Sequence, residues 1–143
     1  MIKLLLLVSV LAANKLTFDT LPAPARAAVE KAFGKAKVLS VEAEREDGKV
    51  VYEVKVKHEG HVVELKLTPE GTVLAEEREV RLDEAPASVR QAVTAAGGKV
   101  ESVEQVTEAG VVTWEVTLQK ADRSRVELVV QADGGVSSKP ATE

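Results

Sequence analysis

The sequence predicts an α+β fold made of two tandem helix-plus-antiparallel-meander (αββββ) repeats, with the helices packed on one face of the sheet. Three observations lead there. The stretch SVEAEREDGKVVYEVKV from Ser40 is matched by SVEQVTEAGVVTWEVTL from Ser102, so that Gly48 meets Gly110, Tyr52 meets Trp114 and Glu53-Val54 meets Glu115-Val116. Apolar and polar residues alternate along both stretches, the period of a strand with one covered face and one wet face. Turn signals recur between the alternating runs, at Asp47-Gly48, Glu59-Gly60, Pro69-Glu70-Gly71, Ala109-Gly110 and Asp133-Gly134-Gly135. Connections this short impose antiparallel neighbours.

Each repeat opens with a short helix. In the first, Pro24 suits an opening turn, where a missing N–H costs nothing. Ala25, Ala28, Val29, Ala32 and Phe33 follow at helical spacing, and Gly34 supplies a stop. In the second, Pro86 starts the helix, Val89, Ala92, Val93 and Ala96 form the stripe, and Gly97-Gly98 end it. Helices of this length are marginal alone in water, so they must pack on the strands.

The strands then alternate. Val50, Tyr52, Val54 and Val56 point one way, and Glu53, Lys55 and Lys57 the other. Val63, Leu65 and Leu67 oppose Glu64 and Lys66, while Val112, Trp114, Val116 and Leu118 oppose Thr113, Glu115 and Thr117. A two-residue turn at Glu59-Gly60 sets one register. In it His58 faces His61, Val56 faces Val63, Val54 faces Leu65 and Tyr52 faces Leu67, while Lys55 meets Glu64 and Glu53 meets Lys66. Each opposite-charge pair contributes roughly 0.2–1 kcal/mol. The strand from Val73 to Leu82 runs almost directly into the second helix, and the final VSSKPATE is polar and reads as short or frayed. Aromatics make up only 3% of the chain, so Val, Leu and Ala must build the core. Tyr52 and Trp114 read as core aromatics under the helices, with a rim position as a binding anchor the alternative for Trp114.

The bulk numbers exclude several kinds of work. The chain of 143 residues has no cysteine, which rules out disulfides, thiolate catalysis and Cys-based zinc sites. A net charge of -4 argues against a nucleic-acid binder, which needs a basic surface to displace counterions. The N-terminal MIKLLLLVSVLAANK carries one Lys, an apolar run from Leu4 to Leu11 and the small Ala12 and Ala13, the order of a secretory leader. Its apolar run is too short to span a bilayer, so no stable membrane insertion is expected. The chain thus reads as a signal peptide over residues 1–13, a first module over 14–82 and a second over 83–143. The two modules are expected to form one compact unit, in the periplasm or secreted.

The order of helix, SVEAEREDGKVVYEVKV and HVVELKLTPEGTVL resembles the PepSY-type module, and more closely the exported PepSY-like proteins grouped with β-lactamase-inhibitor-like folds. Tyr52-Glu53-Val54, Val63-Glu64-Leu65 and the turn Pro69-Glu70-Gly71-Thr72-Val73-Leu74 carry the likeness. Trp114-Glu115-Val116 and Asp133-Gly134-Gly135-Val136 echo it, and it extends over residues 21–140. The resemblance implies a module that binds or restrains other proteins, as in peptidase propeptides, or that grips an enzyme with a concave sheet. It brings no catalytic residues. The longer loop KADRSR and the weak last strand depart from the pattern.

Little else in the chain looks like chemistry. His58 and His61 could share an ion, but catalytic zinc takes three protein ligands and structural zinc four, and no third is placed by sequence. The Glu-rich EAERE and AEERE alternate with Arg and read as a solvated, charge-mixed face. No phosphate-cradling Gly-rich loop or nucleophile elbow is present, so no enzyme and no cofactor is expected. The function expected is that of an exported, non-enzymatic protein-binding module, with inhibition of a peptidase or other enzyme as one form of it. The alternative is an envelope ligand or metal-ion sensor using His58 and His61. The partner expected is another protein or peptide, and the candidate protein-binding face is Glu53, Lys55, Glu64, Lys66, Thr113, Glu115 and Thr117.

Overall fold

Two prolines open the two helices. Pro22 caps α1 (Ala23–Phe33), with Pro24 in its first turn, and Pro86 caps α2 (Ala87–Ala96). Both helices end on glycines with positive φ: Gly34 donates its N–H to Glu30 O (2.7 Å), and Gly97 to Val93 O (3.0 Å). The computed structural model describes residues 16–141, so the expected leader lies outside the described residues. The fold is α+β, with these two helices and eight antiparallel strands, and the chain divides after Glu76 into two compact units.

In the first unit β1 (Lys37–Glu46), β2 (Lys49–His58), β3 (His61–Leu67) and β4 (Val73–Glu79) succeed one another in sheet order, and the division falls inside β4. The helix supplies Ala25, Val29 and Phe33 to a core completed by Leu21, Val41, Val54, Val56, Val63, Leu65 and Leu67. Ala32 is exposed, because an eleven-residue helix with a narrow stripe buries only one row of side chains. In the second unit β5 (Lys99–Glu108), β6 (Val111–Gln119), β7 (Arg125–Gln131) and β8 (Val136–Pro140) follow the same order. Val89 and Val93 of α2 pack there with Ala85, Val103, Val116, Leu118, Leu128 and Val130. Tyr52 and Trp114 lie partly buried against their respective cores, as their parity with Val54 and Val116 requires.

The β2–β3 register is the one the Glu59-Gly60 turn dictates, from Tyr52↔Leu67 to His58↔His61. Both turn residues have positive φ, +49° and +81°, as a type I′ turn needs. Asp47-Gly48 and Ala109-Gly110 turn in the same way. Neither β1 nor β5 is regular: a bulge falls between Val38 and Ser40 and another between Val100 and Ser102.

Two element boundaries differ from expectation. The fourth strand ends at Glu79 rather than Leu82, because Leu82–Glu84 form a 3-10 turn. Arg81 N–H donates to Glu84 Oε2 (3.2 Å) and Ala85 N–H to Leu82 O (3.1 Å), which closes that turn. The last strand is short but paired throughout, from Val126↔Pro140 to Val130↔Val136, although its side chains are mostly exposed. Backbone pairing needs no apolar side chains, so its polarity did not prevent it.

Candidate protein-binding face

Alternation puts Val54, Val56, Val63 and Leu65 under α1 and leaves Glu53, Lys55, Glu64 and Lys66 on the other face. Lys55 Nζ stands 3.6 Å from Glu64 Oε2, and Lys66 Nζ 3.3 Å from Glu53 Oε1, as the register anticipated. Lys66 also donates to Glu46, a partner that the β2–β3 hairpin alone does not reveal. Burial by itself would lower the Lys66 ammonium, but the bond to Glu46 and the charge of Glu53 outweigh it and hold it above the ordinary lysine value.

The β1 strand adds Glu42, Glu44 and Glu46 to this face. Glu42 stands directly across from Glu53, a like-charge pair that Lys66 offsets. Glu44 faces Val51, which is only 4% exposed, and Glu44 Oε2 is buried without a hydrogen-bond partner among the described residues. Burial, then the charge of Glu53 and a hydrogen bond with it, push the Glu44 carboxyl above its usual range, with Lys66 pulling the other way. The two-residue turn at Asp47-Gly48 is the signal that could have found this pairing, since the same logic that set β2–β3 places Glu42 opposite Glu53.

In the second unit Thr113, Glu115 and Thr117 lie on β6 opposite Val106, Glu104 and Ser102. Here the expectation of a solvated face needs correcting. Glu115 is 9% exposed, Val106 3% and Val51, on the corresponding face of the first unit, 4%. Parity decides which face a side chain occupies, not how closely its neighbours crowd it. Carboxylate oxygens of Glu77, Glu104 and Glu115 come within 4.8 Å of one another, as do those of Glu42, Glu44 and Glu53. Each triple offers hard oxygen donors of the kind calcium or magnesium takes. In the first triple the Lys66 ammonium already lies on Glu53, and in the second none of the three carboxylates is without a partner.

The histidines sit at the hairpin tip, opposite one another. The His58 ring packs on Phe33, centroids 5.1 Å apart and planes at 59°, while His61 Nδ1 lies 3.1 Å from Glu59 O. Neither belongs to a group of three close His, Asp or Glu side chains among the described residues. Lys120 holds the place of His58 in the second unit, and its ammonium donates to Ala96 O and to Gly97 O (3.3 Å). In both units this position therefore braces the end of a helix.

This architecture, a helix over an antiparallel meander with a charge-laced outer face, defines a class of small α+β modules. Within that class, residues 22–76 match the PepSY family, described as peptidase propeptide and YPEB domain. Three solved structures share the fold. A DUF2874 family protein from Bacteroides uniformis is 18% identical with a TM-score of 0.71, the alignment covering 83% of this chain and 88% of that one. A protein from Bacteroides eggerthii, provisionally assigned to the periplasm, is 17% identical with the same TM-score of 0.71, over 83% and 88%. A BLIP-like protein from Bacteroides fragilis is 17% identical with a TM-score of 0.64, over 84% and 86%. No curated protein matches the sequence. Among the described residues no helix is long and apolar enough to cross a membrane.

Proposed function

We propose that this chain is an exported, non-enzymatic protein-binding module of the cell envelope. It holds or restrains a partner protein, a peptidase or other enzyme, through the strand face that the first unit turns away from α1. The observation that carries this reading is that face itself. Glu53, Lys55, Glu64 and Lys66 stand there as ordered cross-strand pairs rather than as loose surface charges. The match of residues 22–76 to a peptidase-propeptide family and the BLIP-like fold support it, as does the periplasmic assignment of a relative. Thr113, Glu115 and Thr117 are the corresponding candidate face of the second unit.

The chain is read as two copies of one module, over 14–82 and 83–143, behind a leader over 1–13. A 3-10 turn, a helix and four strands occur in that order in each. The bulges before Ser40 and Ser102, and the glutamate pairs Glu42–Glu53 and Glu104–Glu115, fall at matching positions.

Affinity capture from an envelope extract with the chain from Asn14 onward tests the binding face. Lys55→Glu and Lys66→Glu should each weaken retention of whatever partner the native protein captures. Lys55, 43% exposed at its side chain, is the cleaner probe because its loss disturbs the fold least. Retention unchanged in both variants, each checked to be folded, would sink the assignment of the face.

A further inference from the structure

Among the described residues β1 has one strand neighbour, β2, and β8 has one, β7. A strand with a single neighbour leaves a row of N–H and C=O groups open to another chain, and folds blunt such edges with short length, lysine or proline. The β8 edge is blunted in all three ways: it runs only from Val136 to Pro140, carries Lys139 and ends on a residue with no N–H to give. The β1 strand is twice as long, Lys37–Glu46, and has no proline. Its bulge falls near its start, between Val38 and Ser40, and leaves Val41–Glu46 in regular pairing with β2.

That regular part is acidic on one side. Glu42 lies opposite Glu53, and Glu44 and Glu46 follow at the strand period, so all three project from the face turned away from α1. Lys66 bonds to Glu46 and Glu53 and offsets those two. Glu42 is exposed and has no ion pair among the described residues, and Glu44 Oε2 is buried there without a hydrogen-bond partner. The other side of the strand carries the buried Val41, then Ala43.

Charge decides which strand this edge admits. A second copy of β1 laid antiparallel over Val41–Glu46, with these side chains on one face, sets glutamate opposite glutamate in every register. A strand with lysine or arginine at alternate positions sets a cation against each carboxylate instead. Its intervening residues, if apolar, lie beside Val41 and Ala43. The chain's net charge of -4 acts in the same direction, drawing a basic partner rather than an acidic one.

We propose that the β1 edge takes an extended basic segment of the partner protein as an added strand, with its lysines or arginines over Glu42 and Glu44. Backbone hydrogen bonds hold the segment and the carboxylates select it. This inference rests on the reading of the chain as a protein-binding module and adds the chemistry of the partner.

The capped peptide Lys-Val-Lys-Val-Lys, whose lysines match the spacing of Glu42, Glu44 and Glu46, is the probe. Amide hydrogen exchange, followed by NMR on the native chain at low salt, reads the edge directly. With the peptide, the β1 amides that do not bond to β2 should exchange more slowly, while those of β8 should not change. The peptide's affinity should fall about fivefold in the Glu42→Gln, Glu44→Gln double variant. Lys-Pro-Lys-Pro-Lys, which keeps the charge but cannot complete a ladder, and Glu-Val-Glu-Val-Glu should both leave β1 exchange as it was. Equal slowing at β1 and β8, undiminished affinity in the double variant, or an equal effect from the proline peptide would each overturn the proposal. So would slowing at β1 with rising protein concentration alone, which would assign the edge to a second copy. Failure of the peptide while the native chain still captures a partner from envelope extract overturns the added strand alone. Capture that fails while peptide binding holds overturns the binding-module reading instead.

Discussion

At the scale of single residues, the outer face of the first unit is governed by one crowded carboxylate. Glu44 faces a buried valine and shares its strand face with Glu42, Glu46 and Glu53. Its carboxyl is raised above the usual 4.5, so the native state holds the proton more tightly than the unfolded chain does. Native stability therefore falls as pH rises through the window from that ordinary value to the raised one, and the cost is fully present above it. Glu44→Gln removes the charge that burial penalises. The variant should melt higher than the native protein at pH 7, and the two should converge below about pH 4. A native protein that outlasts the glutamine variant at neutral pH would mean that Lys66 compensates Glu44 fully. The neighbouring Lys66 obeys the opposite rule: its stabilising bonds to Glu46 and Glu53 are present below the ordinary lysine value and lost as pH climbs through the raised one.

At the scale of elements, the hairpin tips and the helix ends belong together. Helix C-termini leave carbonyls without intrahelical partners, and a cation there completes them and meets the negative end of the dipole. Lys120 does this for α2, reaching back to Ala96 O and Gly97 O. Replacing it with methionine keeps most of the stem and removes the donor. Lys120→Met should cost about 1 kcal/mol in chemical denaturation. In the first unit His58 meets the last residue of α1 by ring packing on Phe33, so the same position is filled by different chemistry. The two imidazoles that look like a metal pair in the sequence are thus explained element by element, one by Phe33 and the other by the turn carbonyl of Glu59. Strand pairing and turn type were legible because they depend on residues adjacent in the chain. Lys120's reach to a carbonyl more than twenty residues away was not, since nothing local marks it.

At the scale of the whole molecule, stability rests on two apolar clusters, one in each unit. Leu65 and Leu118 are among the largest fully buried side chains, at 1% and 0% exposure. Leu65→Ala and Leu118→Ala should each cost roughly 2–5 kcal/mol, because the lost methyl groups leave a cavity the strands cannot close. Leu39, 44% exposed at the β1 bulge, provides the contrast, and Leu39→Ala should stay within about 0.5 kcal/mol of the native protein. Denaturant titration of the three variants checks both statements.

The sequence by itself determined the residues whose environment is set locally. Alternation assigned Val54, Val56, Val63 and Leu65 to the covered side and Glu53, Lys55, Glu64 and Lys66 to the other, and Glu59-Gly60 set the register between them. The reason is that parity and turn geometry are properties of consecutive residues. Only the tertiary structure decided that Val51, Val106 and Glu115 are buried on a face expected to be wet. It alone brought Glu46 to Lys66 and ended the fourth strand at Glu79. Desolvation and long-range ion pairing depend on what the folded chain brings alongside a residue, and pattern along the sequence carries no measure of that.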